Sequence, residues 1–172
     1  MLQKYNTYRV LRIFFDSPTK QFQLRELSRL LNLGLPSVIN HVVELEKEGF
    51  IRKEKGNVYK SYIANKEERF KVYKRTDILI RLFESGLIDY IDEEFSPDVI
   101  LLFGSASRGE DIETSDIDIF VLAKERDLNI DKFEKILKRK INVLFEINVK
   151  DIPKELLNNI SNGIILRGYL KI

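Results

Sequence analysis

The segment around which this chain is organised is LLFGSASRGEDIETSDIDIFV, residues 101–121. Its first part is an apolar run that ends at Phe103, which is typical of a buried strand, and Gly104 is a turn signal directly behind it. Glycine at such an exit lets an anion approach the backbone without meeting a Cβ, and Ser105 adds a hydroxyl and its own N–H. If Ser105 opens a short helix, the N–H groups of the first turn also point at the anion. The sequence therefore predicts an anion-binding turn here.

Two aspartates alternate with apolar residues in the second part of the same segment. The period of two predicts a strand over 115–121 that places Asp116 and Asp118 on one face and Ile117 and Ile119 on the other. Neighbouring carboxylates repel each other unless a cation lies between them. Mg²⁺ suits this position because it takes carboxylates, waters and phosphate oxygens as ligands. The pattern indicates a site for a nucleoside triphosphate and its metal; the alternative is a surface turn followed by a solvated acidic strand edge.

Three short motifs of this segment closely resemble the signature of the minimal nucleotidyltransferases, in the DNA polymerase β superfamily. They are Gly104-Ser105, Arg108-Gly109-Glu110 and Ser115-Asp116-Ile117-Asp118. The resemblance extends from about Asp77 to the C-terminus. It implies a small mixed β-sheet flanked by helices, and transfer of a nucleoside monophosphate from a nucleoside triphosphate with Mg²⁺ or Mn²⁺ to a hydroxyl acceptor.

The same resemblance implies which residues form the site. The nucleotide-binding residues would be Gly104, Ser105 and Arg108, and the catalytic, metal-binding residues would be Asp116 and Asp118. For Arg108 two roles stay open, since its guanidinium either reaches a phosphate or anchors the loop by pairing with Glu110.

The third acidic residue of the family has no counterpart in its expected place. Minimal nucleotidyltransferases carry a valine-aspartate-leucine-valine run there, whereas this chain has Ile141-Asn142-Val143-Leu144. An amide cannot act as a general base at neutral pH. Glu146 shares a strand face with Asn142 but lies about 13 Å further along, so it substitutes only if the strand register is shifted or the metal lies toward the far end of the strand. Either catalysis runs with two aspartates and a weakly activated acceptor, or the domain binds a nucleotide without turnover.

Composition is that of a soluble globular protein with one ordinary domain or two small ones. The 172 residues contain no cysteine and one histidine, which excludes disulfides, thiolate sites and sites with several imidazoles. Because no apolar run reaches about 20 residues, we expect no membrane association and a cytoplasmic location.

Residues 1–65 carry 11 Lys and Arg against 6 Asp and Glu, and the remainder carries 18 against 21. The basic half is therefore the first.

The basic half has the element order of a small DNA-binding fold. Apolar residues at helical spacing predict three helices, over 8–15, 24–31 and 36–48, followed by strand-like runs at 50–54 and 58–63 around the turn Lys55-Gly56-Asn57. The segment LEKEGFIRKEKGNVYKSY, residues 45–62, resembles the end of the recognition helix and the wing of winged helix-turn-helix proteins.

In that family the second helix of the pair enters the major groove of double-stranded DNA, and cations contact the phosphates. The candidate DNA-binding residues are Ser37, Asn40, His41, Arg52, Lys53, Lys55 and Lys60. A dimerisation or scaffolding role is the alternative, because Glu44, Glu46 and Glu48 place negative charge beside this face. His41 is an exposed helix residue or a DNA contact under these hypotheses.

The expected architecture is α+β: an N-terminal winged helix-turn-helix domain, followed by a small nucleotidyltransferase-like mixed β-sheet flanked by helices. The predicted boundaries are 1–65 for the winged helix, 66–95 for linking helices that break at Gly86, and 96–172 for the nucleotidyltransferase-like domain. The second linking helix is expected to pack on that domain, and the docking of 163–172 is left open.

Two functional hypotheses follow, and they are compatible. The first is an enzyme, a nucleotidyltransferase. The second is a DNA-binding transcriptional regulator or antitoxin whose C-terminal domain is weakly active, or only senses a nucleotide or a partner protein such as a toxin. Because winged-helix regulators often match paired half-sites, a homodimer is also expected.

Overall fold

The computed structural model describes residues 5–54 and 60–170. The chain divides into two compact units, Met1–Lys74 and Arg75–Ile172, and the boundary lies within one helix. Each unit contains helices and an antiparallel or mixed β-sheet, which confirms the expected mixture of α and β structure. Across the described ranges, none of the helices combines the length and the apolar character needed to cross a membrane.

The first unit is built from three helices and a three-stranded sheet. Its elements are α1 (Asn6–Asp16), β1 (Phe22–Gln23), α2 (Leu24–Leu31), α3 (Leu35–Lys47), β2 (Ile51–Glu54) and β3 (Ser61–Ala64). The sheet has the order β1-β3-β2 and is antiparallel throughout. Asn32 ends α2 in the left-handed conformation, at φ 53°, and Pro36 lies in the first turn of α3, where its missing N–H costs no helical hydrogen bond.

One apolar core holds this unit together. Helices α1, α2 and α3 contribute buried residues at the spacing that the sequence shows, among them Phe14, Leu27 and Val42. Phe22 and Tyr62 pair across the sheet and join the same core. The turn Lys55-Gly56-Asn57 that was predicted between the last two strands lies outside the described residues.

The second unit is a four-stranded sheet with helices on both faces. Its elements begin with α4 (Glu68–Glu84), which crosses the boundary, and continue with α5 (Leu87–Phe95), β4 (Val99–Phe103), α6 (Gly104–Arg108), β5 (Ile117–Leu122), α7 (Asp131–Leu137), β6 (Ile141–Glu146), α8 (Lys154–Ser161) and β7 (Ile164–Gly168). The sheet order is β6-β5-β4-β7; β5 and β6 run parallel, and the other pairs are antiparallel. The predicted helix break at Gly86 is confirmed.

Alternation along the strands assigns each side chain to one of two cores. Ile117 and Ile119 of β5 pack into the core that also contains buried residues of α4, α5 and α7. Phe120 and Leu122 pack on the other side with Ile160 of α8. Asp118 and Phe120 share this second face because a strand has a period of two. The side chain of Asp118 therefore projects from the face of the sheet on which α8 packs.

One feature of this unit differs from the sequence expectation, and the structure places one segment that the sequence left open. The strand predicted over 115–121 begins at Ile117, so Asp116 precedes β5. Ser115 bonds Ile112 in a turn, and the first backbone bond toward the neighbouring segment runs from Ile117 N–H to Lys140 O, at 2.9 Å. The segment whose docking was left open contains β7, which adds to the free side of β4.

Candidate functional site

Gly104 brings the turn after β4 into direct contact with Asp118. Its φ of +72° lies in the left-handed region, and a Cβ at this position would lie 3.3 Å from Asp118 Cγ and closer still to its carboxylate oxygen. Ser107 Oγ donates to Gly104 O at 2.8 Å and holds the turn. Only glycine meets both requirements. The predicted glycine-serine turn and one of the two predicted aspartates are therefore neighbours.

Asn142 lies beside Asp118 on the adjacent parallel strand. The two residues are paired in the register of β5 and β6, and Asn142 Nδ2 donates to Asp118 Oδ1 at 3.2 Å. Glu146 is paired with Leu122, four positions along the same ladder. The register is therefore not shifted. An amide occupies the position next to Asp118, and Glu146 lies at the far end of the ladder.

The backbone on both sides of Asp116 is held by the segment before β6. Arg139 Nε donates to Ser115 O at 2.7 Å, and Ile117 N–H donates to Lys140 O at 2.9 Å. These two bonds flank Asp116 directly in sequence. They hold the backbone that leads into β5, although the side chain of Asp116 is exposed.

A buried ion pair supports this arrangement. Arg139 Nη1 lies 2.9 Å from Asp111 Oδ2, and only 9% and 4% of the two side chains are exposed. A buried pair of this kind persists because each charge is compensated by the other and by further hydrogen bonds. Asp111 and Arg139 therefore tie the loop between α6 and β5 to the start of β6.

Glu134 and Lys140 form a second pair at the same end of the sheet, in which the lysine is exposed and the glutamate is partly buried. Lys140 Nζ donates to Glu134 Oε2 at 2.7 Å, and Ile141 N–H donates to Glu134 Oε1 at 3.0 Å. These bonds hold the pKa of the Glu134 carboxyl below its usual value. The hydrogen bond to Glu134 raises the pKa of Lys140, and the charge of Asp116 adds to the effect. The ammonium of Lys140 therefore lies within electrostatic reach of the candidate metal ligand.

Arg108 pairs with the neighbouring acid of its own motif. Its Nε lies 3.0 Å from Glu110 Oε2, and both side chains are about half exposed. Of the two roles that the sequence left open, the structure contains the loop-anchoring contact. Gly109, at φ 70°, ends α6 and sets the turn between the two residues.

The donor set suits a hard divalent cation completed by ligand oxygens. Asp116 and Asp118 offer carboxylates, and Mg²⁺ commonly takes one or two of these together with waters and phosphate oxygens. Among residues 5–54 and 60–170 there is no cluster of three or more His, Cys, Asp or Glu side chains able to hold a metal alone. The lack of a Cβ at Gly104 keeps space beside Asp118. The residues present fit a metal that arrives with a phosphate ligand.

In the first unit, two of the candidate DNA-binding residues are bonded within the protein. His41 Nδ1 lies 2.8 Å from Thr7 Oγ1, and His41 Nε2 lies 3.3 Å from Ser37 Oγ. Thr7 also donates to Glu44 Oε2 at 3.0 Å. His41 thus connects α3 to α1, while Asn40 on the same helix is exposed.

The cations of the hairpin are exposed but partly neutralised. Lys53 Nζ lies 3.2 Å from Glu46 Oε2, and Arg52 lies 3.7 Å from Glu54 Oε2. Lys60 is exposed, and Lys55 lies outside the described residues. Positive charge therefore remains on this hairpin, with acidic partners close to two of its cations.

Four residues near the site were missed by the sequence argument: Asp111, Glu134, Arg139 and Lys140. The sequence does contain a signal for Arg139 and Lys140, because Lys138-Arg139-Lys140 is a compact basic cluster directly before a strand. Asp111 and Glu134 have no local signal, since their partners lie 28 and 6 positions away in sequence.

Comparison with known proteins agrees with this geometry. Residues 86–168, just under half of the chain, match the family model described as "Polymerase beta, Nucleotidyltransferase". These residues contain the glycine-serine turn, both aspartates and Asn142, so the second unit carries a nucleotidyltransferase-like domain. A search of the curated proteins returned no match.

Among solved structures, the chain is similar to a candidate nucleotidyltransferase from Sulfolobus solfataricus, whose crystal structure was determined at 1.40 Å resolution. The two chains share 14% sequence identity with a TM-score of 0.33. The similarity covers 59% of this chain and 94% of the Sulfolobus chain.

Proposed function

We propose that this protein is a nucleotidyltransferase that binds a nucleoside triphosphate with Mg²⁺ or Mn²⁺ and transfers a nucleoside monophosphate to a hydroxyl acceptor. The observation that carries the proposal is the contact between the Gly104 turn and Asp118, with no room for a Cβ between them. A phosphate-binding turn packed against a carboxylate suits a metal-bound nucleotide, because one cation can coordinate the carboxylate and a phosphate oxygen together. A solvated acidic strand edge needs no such turn.

In this proposal Gly104 and Ser105 hold the β and γ phosphates, and Asp116 and Asp118 hold the metal. A bound metal would neutralise charge at the entering and leaving oxygens. The acceptor oxygen forms a bond to the α phosphorus, and the bond from that phosphorus to pyrophosphate breaks. Asn142 does not accept the acceptor's proton, so the proton passes to solvent and the reaction is slower than with a third carboxylate.

Labelling from α-phosphate-labelled nucleotides tests this function. The purified protein is incubated with each nucleotide, Mg²⁺ or Mn²⁺, and protein, RNA or small-molecule acceptors. We expect labelling that Asp116→Asn and Asp118→Asn abolish. Asp127→Asn, which changes an exposed aspartate after β5, is the matched control and should label as the parent does. Equal labelling by all four proteins, or by none under any condition, contradicts the proposal.

For the first unit we propose DNA binding as a winged helix-turn-helix domain, with transcription regulation as its role. The support is the order of three helices followed by an antiparallel hairpin, the surplus of positive charge in 1–65, and the exposed Asn40 and Lys60. Asparagine can bond adenine in the major groove, while lysines contact phosphates. A cytoplasmic homodimer that acts on a partner protein such as a toxin and regulates its own gene would use both units.

A gel shift with the DNA upstream of the gene tests the DNA-binding role. At low salt we expect a retarded complex that Lys53→Gln/Lys60→Gln weakens, and a salt dependence shallower by about 2 in log–log slope, because each phosphate contact contributes about 0.9. Asn40→Ala should weaken specific DNA more than random DNA. Lys20→Gln is the control in the same unit. The absence of any complex at low salt, or equal weakening by the control, contradicts DNA binding.

A further inference from the structure

The only histidine of the sequence lies in the middle of a hydrogen-bonded series of side chains in the first unit. Ser37 Oγ lies 3.3 Å from His41 Nε2, and Thr7 Oγ1 lies 2.8 Å from His41 Nδ1. Thr7 in turn donates to Glu44 Oε2 at 3.0 Å. Ser37, His41 and Glu44 stand at positions i, i+4 and i+7 of α3, and so share one face of the helix, while α1 contributes Thr7. The series therefore connects a hydroxyl, through an imidazole, to a carboxylate.

The hydrogen bonds of this series run in one consistent direction. The hydroxyl of Thr7 has a single proton, which it donates to Glu44, so its oxygen accepts a bond from the Nδ1–H of His41. A neutral imidazole that is protonated at Nδ1 keeps a lone pair at Nε2. This lone pair accepts the hydrogen bond from the hydroxyl of Ser37. His41 is therefore in the tautomer that a general base for Ser37 requires.

Glu44 favours the charge that a proton transfer to His41 would create. Its Oε2 lies 3.9 Å from His41 Nδ1, and a carboxylate at this distance favours the protonated imidazole. The side chain of His41 is 22% exposed, and Ser37 is also partly exposed. A hydroxyl beside a base that a third group orients is the arrangement that activates a serine. An electrophile from solution can reach this one.

Ser37 is singled out among the hydroxyl groups by this imidazole. In the part of the chain that the structure describes, Ser37 and Thr7 are the hydroxyl groups within hydrogen-bond distance of His41. Thr7 gives its proton to Glu44, so Ser37 is the one whose proton the imidazole can take. The serine is therefore a candidate nucleophile rather than a hydroxyl that only holds the helix.

We propose that Ser37 is a hydroxyl acceptor of the nucleotidyltransferase, so that the protein modifies itself. The inference rests on the proposed function and names its acceptor. Ser37 Oγ forms a bond to the α phosphorus of the nucleoside triphosphate, the bond from that phosphorus to pyrophosphate breaks, and the hydroxyl proton passes to His41 Nε2. Asn142 supplies no base in the second unit, and an acceptor that carries its own base makes up for this lack.

The place of Ser37 on α3 suits an added phosphate. Ser37 lies in the first turn of the helix, whose positive end attracts anions, and Gly34 before it has no side chain to cap that turn. The new negative charge would lie one helical turn from Asn40, on the helix proposed to enter DNA. Modification should therefore weaken DNA binding, and a gel shift of the protein before and after incubation with nucleotide and Mg²⁺ measures this effect.

Peptide mass spectrometry of the full chain, after incubation with each nucleoside triphosphate and Mg²⁺ or Mn²⁺, tests the inference. We expect a nucleoside monophosphate on Ser37 that is absent from Ser37→Ala and from Asp118→Asn. His41→Ala should slow the modification by about 10²-fold, and imidazole added to the buffer should restore part of the rate. A histidine with only a structural role would not be replaced in this way. The matched control is Ser161→Ala, which changes an exposed serine of α8 and should leave the modification of Ser37 unchanged.

A fluorophosphonate probe measures the reactivity of Ser37 without nucleotide transfer. The probe forms a bond from its phosphorus to the serine oxygen, fluoride leaves, and the proton of the serine passes to the neighbouring base. In Asp118→Asn we expect Ser37 to react about tenfold or more faster than the exposed Ser161, and His41→Ala to remove this difference. Equal rates at the two serines, or an unchanged rate in the His41 variant, would overturn the inference.

The two proposals fail in different ways. Transfer to another acceptor that depends on Asp116 and Asp118, with Ser37 unmodified, supports the enzyme and overturns the inference. Probe reaction at Ser37 that depends on His41, without any nucleotide transfer, contradicts the enzymatic function and with it the transfer to Ser37. Modification of Thr7 in place of Ser37 would overturn the direction assigned to the hydrogen bonds.

Discussion

The side-chain amide of Asn142 donates a hydrogen bond to the carboxylate of Asp118, at 3.2 Å, across the parallel pair of β5 and β6. The amide therefore supplies the carboxylate of Asp118 with one hydrogen-bond donor. It does not add a second negative charge. Without a cation, a carboxylate at position 142 would instead repel the carboxylate of Asp118. This relationship makes the metal dependence of the site directly testable.

Substitution Asn142→Asp should increase both the metal dependence and the activity of the protein. Without metal, the added carboxylate beside Asp118 should lower the Tm; with Mg²⁺, the Tm should rise more than that of the parent. Labelling should increase by about 10²-fold, the lower end of what a positioned general base contributes. Thermal unfolding with EDTA and with Mg²⁺, together with labelling rates, measures both effects. Asn159→Asp, at an exposed position on α8, should change neither property.

Substitution Gly104→Ala should cost stability and ligand binding together. Alanine at a φ of +72° costs about 1–2 kcal/mol, and its Cβ would displace the Asp118 carboxylate. Gly86→Ala is a matched control, because Gly86 has a φ of +77° but a Cβ added there would have nothing within 4 Å. Chemical unfolding should show a loss in both variants, whereas binding of ATP with Mg²⁺ should be lost only in Gly104→Ala. Normal ATP binding by Gly104→Ala would contradict the assigned role of the turn.

Loss of the buried pair between Arg139 and Asp111 should destabilise the second unit strongly. We expect Arg139→Met to lower the free energy of unfolding by about 3 kcal/mol or more, because it removes the charge that compensates the buried Asp111 carboxylate. Arg108→Gln, which breaks the exposed pair with Glu110, should cost less than about 1 kcal/mol. Urea unfolding of the two variants measures the difference. Equal costs would show that the pair of Arg139 is no more important than a surface contact.

Acid should remove the stabilising contribution of Glu134. Hydrogen bonds from Lys140 and Ile141 lower its pKa from the ordinary 4.5, so folding is favoured above that pH, and the contribution is lost as pH falls through the lower, folded-state value. The Tm difference between the parent and Glu134→Gln should therefore be largest near neutral pH and should disappear in strong acid. A Tm difference that stays constant from neutral pH into strong acid would contradict this assignment. Glu155→Gln, at an exposed position on α8, is the control.

Local signals in the sequence were sufficient for most of the elements that position the site. The apolar run before Gly104 and the alternation after Asp116 are short-range patterns, and both correspond to strands in the structure, β4 and β5. The break at Gly86 also depends only on the backbone preference of a single residue. By contrast, the start of β5 was expected too early, because Ser115 is bonded in a turn to Ile112 and to Arg139, which lies 24 positions away in sequence.

The C-terminal strand shows why other features needed the tertiary structure. Ile164–Gly168 is largely apolar, and its sequence does not indicate which strand edge it joins. Its place beside β4 is set by distant contacts, since Arg167 pairs with Asp89 and Asp92 of α5, at 2.6 and 2.7 Å. Such pairings between residues more than 70 positions apart leave no local pattern.

The glycine-serine turn, the two aspartates and the missing third acid were determined by the sequence alone, because each is a matter of residue type and short spacing. Tertiary structure decided which of these groups meet. It placed Asp118 against Gly104 and Asn142, assigned Glu146 to the far end of the ladder, and held the backbone around Asp116 with Arg139. The physical reason is that strand register and buried ion pairs join segments distant in sequence, and only the packed sheet brings those segments together.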